Sequence, residues 1–449
     1  MDPSNGRTDS PMRLLIPLTL AATLLWPDRC PAQVPTAAGA KLQIDYDPAD
    51  TLGAVPQATL ANLLYPPAKG PVADGYPAEA LPVFVTVRGG NSNLLQPGVI
   101  GESPSDAMMS DLGLLVIQMD HPVIQPGGDY NDSLVGVRRA IQYLRANAAS
   151  LNIDPARIVM HSRSLGTLLA YGACLKEDAI APLSPDPVER ESSRPDYLAA
   201  RIGFSSFMCF ELEQGPWTST LSLAVFPNQS FGDSTPEQRL ADSPIWWLLN
   251  PGLYGRDRTP PMTVVFDSAH GDICGSVINA HSGFLGEEML RALDEFAAQS
   301  GDEVLRQRCG SIDKVVWPDV EQPIADWTLE RLAEDFGGLY LSTPVGALTA
   351  SGGTLTLRAH GAEPGATVEF RSGGGWTTAA PTGCPQVAGS FSSPIVLGTA
   401  VADASGLAQI AHAVVPAELG GVLEYRALSP ANCEASGRTA HLLIVGAQQ

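Results

Sequence analysis

One junction near the middle of the chain constrains the fold more than any other feature. Arg157-Ile158-Val159-Met160 reads as a buried β-strand, and Leu168-Leu169-Ala170-Tyr171-Gly172-Ala173 begins like a helix. Only His161-Ser162-Arg163-Ser164-Leu165-Gly166-Thr167 lies between them. A turn this abrupt is strained and brings the strand and helix backbones close together, so the positions two before and two after its apex must be small. Ser162 and Gly166 meet that need around Ser164. A strand that feeds directly into a helix is a βα unit, and repeated βα units imply an α/β fold on a mostly parallel sheet.

The chain from about Leu42 to Asp335 repeats that alternation. Pro82 to Val87, Leu114 to Ile117 and Met262 to Phe266 are further apolar, β-branched runs that end in polar or Gly-bearing loops, as buried strands do. From Asp132 to Ala146, Leu134, Val137, Ile141 and Leu144 fall three and four residues apart, which predicts an amphipathic crossover helix on one sheet face. Beyond about Leu341 the texture changes to Thr-, Gly- and Ala-rich alternation, as in Gly353 to Ala359 and Ala366 to Phe370. Roughly seven short strands are expected there, forming a small all-β sandwich. A length of 449 residues also exceeds what one core ordinarily serves. The expected organisation is therefore an export signal over 1–32, an α/β domain over 33–338 and a β-sandwich-like domain over 339–449, with Gly337-Gly338 as the boundary.

Charge and composition narrow the partners. With 27 basic against 48 acidic residues the formal charge is −21, which repels polyphosphate backbones and anionic membrane surfaces. Nucleic acid is not an expected partner. Arg7 and Arg13 precede an apolar run from Leu14 to Trp26 and the small-residue site Cys30-Pro31-Ala32, the layout of a secretory signal peptide. The run is about 13 residues long and contains Pro17, against roughly 20 needed to span a bilayer. A secreted or periplasmic, extracellular location is expected after its removal. Cys174, Cys209, Cys274, Cys309, Cys384 and Cys433 then form an even set in an oxidising compartment. The preferred pair is Cys384 with Cys433, because both lie in the C-terminal segment. No CxxC element or zinc-finger spacing supports a metal, and no motif calls for a cofactor.

The chemistry centres on Ser164. A helix beginning just behind it favours a developing negative charge, and the Leu165 N–H is placed to donate to an oxyanion. The turn has the form S-x-S-x-G, a variant of the G-x-S-x-G nucleophile elbow. Val87-Arg88-Gly89-Gly90-Asn91 follows an earlier strand, and its glycines let backbone N–H groups turn toward a carbonyl oxygen. On these residues the chain resembles the esterase and lipase branch of the α/β-hydrolase family, over roughly residues 50 to 335. Gly89-Gly90 matches the family's H-G-G-G loop, with Arg88 in place of the usual His. Tyr143 to Ala148 and Leu151 to Ile158 match the lead-in to the nucleophile strand, and Ser243-Pro244 followed by Pro260-Pro261 matches a further landmark.

The resemblance implies a doubly wound sheet, Ser164 as nucleophile, and Gly89, Gly90 and Leu165 as the oxyanion hole. Asp267-Ser268-Ala269-His270-Gly271-Asp272 resembles the loop that carries the family's acid, which points to Asp272, with Asp267 as the alternative. The family's histidine follows the last strand, here expected over Ile312 to Asp319, yet no histidine occurs between His281 and His360. The base would then be His281 or His270, while His161 would point into the sheet or support the turn. Two functions follow: a secreted serine hydrolase acting on carboxylic esters, or on an ester-bearing polymer surface, and a catalytically inactive hydrolase-like binding protein. Trp217, Trp246 and Trp247 read as packing residues, and Asp106, Asp111, Asp120 and Glu330 to Asp335 as solvated loops or helix faces.

Overall fold

The computed structural model describes residues 41–48, 52, 59–66, 80–89, 104–122, 130–203, 205, 236–256, 258–266, 283–313, 321–336, 340–342, 353–377, 381, 384, 390–414, 422–431, 433–435 and 439–442. The expected signal over 1–32 and the Gly337-Gly338 boundary lie outside them. Eight strands form the main sheet: β1 (Lys41–Asp45), β2 (Leu60–Leu64), β3 (Leu81–Val87), β4 (Leu115–Met119), β5 (Ile153–Ser164), β6 (Tyr197–Gly203), β7 (Met262–Phe266) and β8 (Gly310–Asp313). Their spatial order is β1-β2-β4-β3-β5-β6-β7-β8. β2 runs antiparallel to β1 and β4, and every other neighbouring pair is parallel.

The principal helices are α1 (Pro104–Asp111), α2 (Tyr130–Ala146), α3 (Leu165–Leu175), α4 (Gly283–Ser300) and α5 (Glu321–Phe336). Alternation along the strands divides the core. Val83, Val85 and Val87 face a cluster with Leu134, Val137, Ile141 and Leu168, whereas Phe84, Val116 and Val159 face Met108, Met109, Ile324 and Leu329. So α2, α3 and α4 cover one face and α1 and α5 the other. β3, β4 and β7 are apolar almost throughout because both their faces are covered. α3 lies wholly inside, with every residue from Leu165 to Leu175 buried, which accounts for its apolar sequence. β8 is described as far as Asp313, and the rest of the expected Ile312 to Asp319 run lies outside the described residues.

This winding creates one switch point. After β3 the chain crosses to β4 over the α1 face, and after β5 it crosses to β6 over the α3 face. β3 and β5 are neighbours, so their following connections diverge, and the region beyond their C-terminal ends is where sheets wound in this way carry their crevice.

Residues 340–442 contribute two antiparallel sheets. β9 (Tyr340–Ser342), β10 (Gly353–His360) and β13 (Ala408–Val414) form one; β11 (Thr367–Thr377), β12 (Ser390–Val401), β14 (Val422–Ser429), β15 (Glu434–Ala435) and β16 (Thr439–Leu442) form the other. Leu357, Ala359 and Ala408 from the first share a buried cluster with Val368, Phe370 and Ala427 from the second. Asp326 on α5 pairs with Arg358 and lies 3.5 Å from His360 Nε2, which ties β10 to the α/β layers. Cys384 and Cys433 form a disulfide. Cys174 and Cys309 are free thiols, and burial pushes them up to about 12 and about 11. Cys209 and Cys274 lie outside the described residues. Among the described residues no helix is long and apolar enough to cross a membrane.

Candidate active site

Ser164 is the last residue of β5 and sits at φ 56°, ψ −127°. A non-glycine residue in such a conformation costs about 1–3 kcal/mol, so the surrounding contacts must hold it. The register between β5 and β6 slips between Arg163 and Ser164, where the strand breaks into the turn. Two glycines explain how the turn is held. A Cβ on Gly166 would lie 2.5 Å from the carbonyl oxygens of both Val87 and Arg88. A Cβ on Gly89 would lie 2.7 Å from the Arg163 carbonyl oxygen and 2.7 Å from Ser164 Cβ. The ends of β3 and β5 thus interlock at a distance no side chain permits. Ser162, fully buried between Val87 and Ala200, supplies the other small position. Thr167 Oγ1 donates to the Arg201 carbonyl at 2.9 Å and ties the start of α3 to β6.

The crevice at the switch point therefore holds Ser164, the Arg88-Gly89 peptide and the N-terminus of α3. Leu165 opens that helix, so its N–H belongs to the first turn, which lacks intrahelical acceptors and favours anions. Of the other expected site residues, Gly90, Asp267, His270, Asp272 and His281 lie outside the described residues. Gly89, Ser164 and Leu165 are described and lie together.

Beneath the crevice, on the α1 face, lies a polar layer that corrects one expectation. Asp106 and Asp120 are not solvated; each is 1% exposed. The Asp106 carboxylate accepts from Thr86 Oγ1 at 2.9 Å and Gln118 Nε2 at 2.6 Å, partners that meet it only because β3 and β4 align Thr86 with Gln118. Polar residues at matching positions near the ends of two apolar strands were the available signal. His161, aligned with Thr86 on β5, stacks on Phe84 with ring centroids 5.3 Å apart. Burial, reinforced by Arg201, lowers its pKa to about 4. It is a neutral core residue turned into the sheet.

His121, which sequence patterning did not single out, is 2% exposed just beyond β4. Its Nδ1 lies 3.2 Å from the Pro122 carbonyl. Burial holds its pKa below the usual histidine value, against the Pro122 carbonyl and the negative charge of Asp120. Trp247 is fully buried, with Lys176 Nζ 4.2 Å from its ring centroid, so it packs the core rather than lining the crevice. Trp217 lies outside the described residues. The helix face from Glu330 to Asp335 is an ion-pair surface, where Arg331 joins Glu330 and Glu334 and Arg308 joins Asp335.

No family model matches the chain. No curated protein matches it. Among solved structures, it resembles an acetyl ester-xyloside bifunctional hydrolase from Caldicellulosiruptor lactoaceticus, at 18% identity and a TM-score of 0.46, over 68% of this chain and 98% of that one. It also resembles a truncated carbohydrate esterase from gut microbiota, at 13% identity and a TM-score of 0.46, over 67% and 99%. A thermophilic esterase from the Planctomycetes species Thermogutta terrifontis follows at 19% identity and a TM-score of 0.41, over 67% and 93%. At these values the likeness carries no weight for the site, which stands on the chain's own topology: an eight-stranded mixed sheet, wound on both faces, with a strained serine at its switch point.

Proposed function

We propose that the chain is an exported serine hydrolase of carboxylic esters. The observation that carries this reading is Ser164, held at φ 56° where β5 meets α3, with Gly89 against its Cβ. Strain of this kind persists only where other contacts enforce it, and here it is held at the first turn of α3 with Gly89 of the neighbouring strand end against it. Ser164 Oγ attacks the ester carbonyl, and the N–H groups of Gly89, Gly90 and Leu165 receive the oxyanion. His281 or His270 takes the serine proton and returns it to the leaving alcohol, with Asp272 or Asp267 holding the ring tautomer. Residues 1–32 direct export, 33–338 form the hydrolase unit, and 339–449 form an accessory β-sandwich that brings the enzyme to a polymer surface.

A second reading, a hydrolase-like binding protein without turnover, is favoured by one observation: no histidine occurs between His281 and His360. Without a base a serine hydroxyl is a poor nucleophile. The two readings separate on labelling of the mature protein with a fluorophosphonate, alongside hydrolysis of p-nitrophenyl acetate. The hydrolase reading expects labelling that is lost in Ser164→Ala and strongly reduced in His270→Ala or His281→Ala. Labelling absent from the wild type, or unchanged in Ser164→Ala, refutes it.

A further inference from the structure

We propose that Thr167 is a positioning residue for the reaction: its hydroxyl fastens the first turn of α3 to β6 and so fixes the Leu165 N–H relative to the carbonyl that Ser164 attacks. The inference rests on the hydrolase reading above and adds to it a residue three places beyond the nucleophile. The pairing of β5 with β6 sets Arg163 beside Arg201 and then Ser164 beside Gly203, so Ile202 stands opposite no residue of β5. The regular ladder that fixes the rest of β5 therefore slips at the residue that carries the chemistry. Thr167 bridges that place. Its Oγ1 lies 2.9 Å from the Arg201 carbonyl oxygen, and since a carbonyl only accepts, the hydroxyl is the donor. Thr167 is fully buried, so bulk water does not compete for the bond.

Two kinds of contact hold this turn, and they act differently. Gly166 abuts the end of β3, where a Cβ would lie 2.5 Å from the Val87 and Arg88 carbonyl oxygens. Close contact of that kind limits how near the turn comes to β3 but exerts no pull toward β6. Ser164 at φ 56° is strained and relaxes unless its neighbours oppose it. The Thr167 bond opposes it with a directional attraction. Its acceptor is a fixed point, because β6 is paired with β5 on one side and β7 on the other. Beyond the elbow α3 packs through Leu168, Leu169 and Leu175 in the core, contacts that have no direction of their own and permit a helix to slide. Its far end is fastened by Arg138 of α2, whose Nη2 donates to the Gly172 carbonyl at 3.2 Å. With Thr167 at the near end the helix is held at both, and the Leu165 N–H keeps its direction.

The test compares the wild type with Thr167→Val, which keeps the shape and removes the donor, and with Thr167→Ser, which keeps the donor and removes a methyl group. kcat and KM for p-nitrophenyl acetate, the rate of fluorophosphonate labelling and the urea midpoint are measured for each. A misplacement of about 1 Å at a reacting centre costs up to about 100-fold, so Thr167→Val is expected to lower kcat and the labelling rate together by roughly 10- to 100-fold, with KM changed less than about threefold. Thr167→Ser should stay within about threefold of the wild type in both rates. A role in packing alone predicts the opposite order, because valine fills the site and serine leaves a void. If Thr167→Val does not fold, Thr167→Ala takes its place, with Thr167→Ser again the comparison. An active wild type with an equally active, folded donorless variant overturns this inference alone, as does a serine variant as slow as the donorless one. A wild type inert to ester and probe overturns the hydrolase reading and this inference together.

Discussion

Acid should destabilise this protein through His161. The ring is 4% exposed, lies against Phe84, and has its pKa lowered to about 4 by burial and by Arg201, with Asp106 opposing. An unfolded chain binds the same proton with a pKa near 6.5, so below that pH the unfolded state takes up more protons than the folded one. The contribution is therefore complete above about pH 6.5 and is lost as the pH falls toward about 4. The gap between the two values amounts to about 3 kcal/mol in full, of which about 2 kcal/mol is gone by roughly pH 5. Urea unfolding followed by tryptophan fluorescence near pH 7.5 and pH 5 measures the loss. His161→Phe keeps a ring against Phe84 and removes the titration, so it should lose about 2 kcal/mol less than the wild type over that interval. Equal losses in the two proteins would refute the reasoning, because they would assign the acid sensitivity to groups elsewhere.

Two further outcomes follow from close contacts and chain closure. Gly166→Ala places a methyl group 2.5 Å from two carbonyl oxygens, those of Val87 at the end of β3 and of Arg88 just beyond it, so that strand end and the elbow must separate. It should cost about 1–3 kcal/mol in the urea midpoint and at least tenfold in Ser164-dependent labelling, and an alanine variant as reactive as the wild type would contradict the interlock. The Cys384–Cys433 bridge closes a separation of 49 residues, so replacing both with Ala should lower the stability of residues 340–442 by roughly 4 kcal/mol. Limited proteolysis under native conditions, with cleavage confined to that region, reads this out.

The elbow was legible from sequence because its requirement is local: a strand turning into a helix at Ser164 needs Ser162 and Gly166 to be small whatever lies around it. The strands at 81–87, 115–119 and 262–266 and the helix at 130–146 were legible for a similar reason, since apolar period follows backbone geometry within a few residues. β6 was not, although it lies next to β5: Arg201 interrupts its apolar run, and its charge is tolerated only inside the polar layer beneath the crevice. Asp106 and Asp120 resembled surface residues for the same reason. A carboxylate's neighbours in sequence say nothing of Thr86 and Gln118, which reach Asp106 from two other elements. His121 is the clearest case. In sequence no motif surrounds it, and only the pairing of β4 with β2 and β3 leaves it buried just beyond the strand end. The sequence by itself determined the strained turn and the elements that flank it, because steric period acts along the chain. The tertiary structure alone decided which strand ends meet at the crevice and which polar groups are buried there, because strand order brings together residues that no local spacing connects.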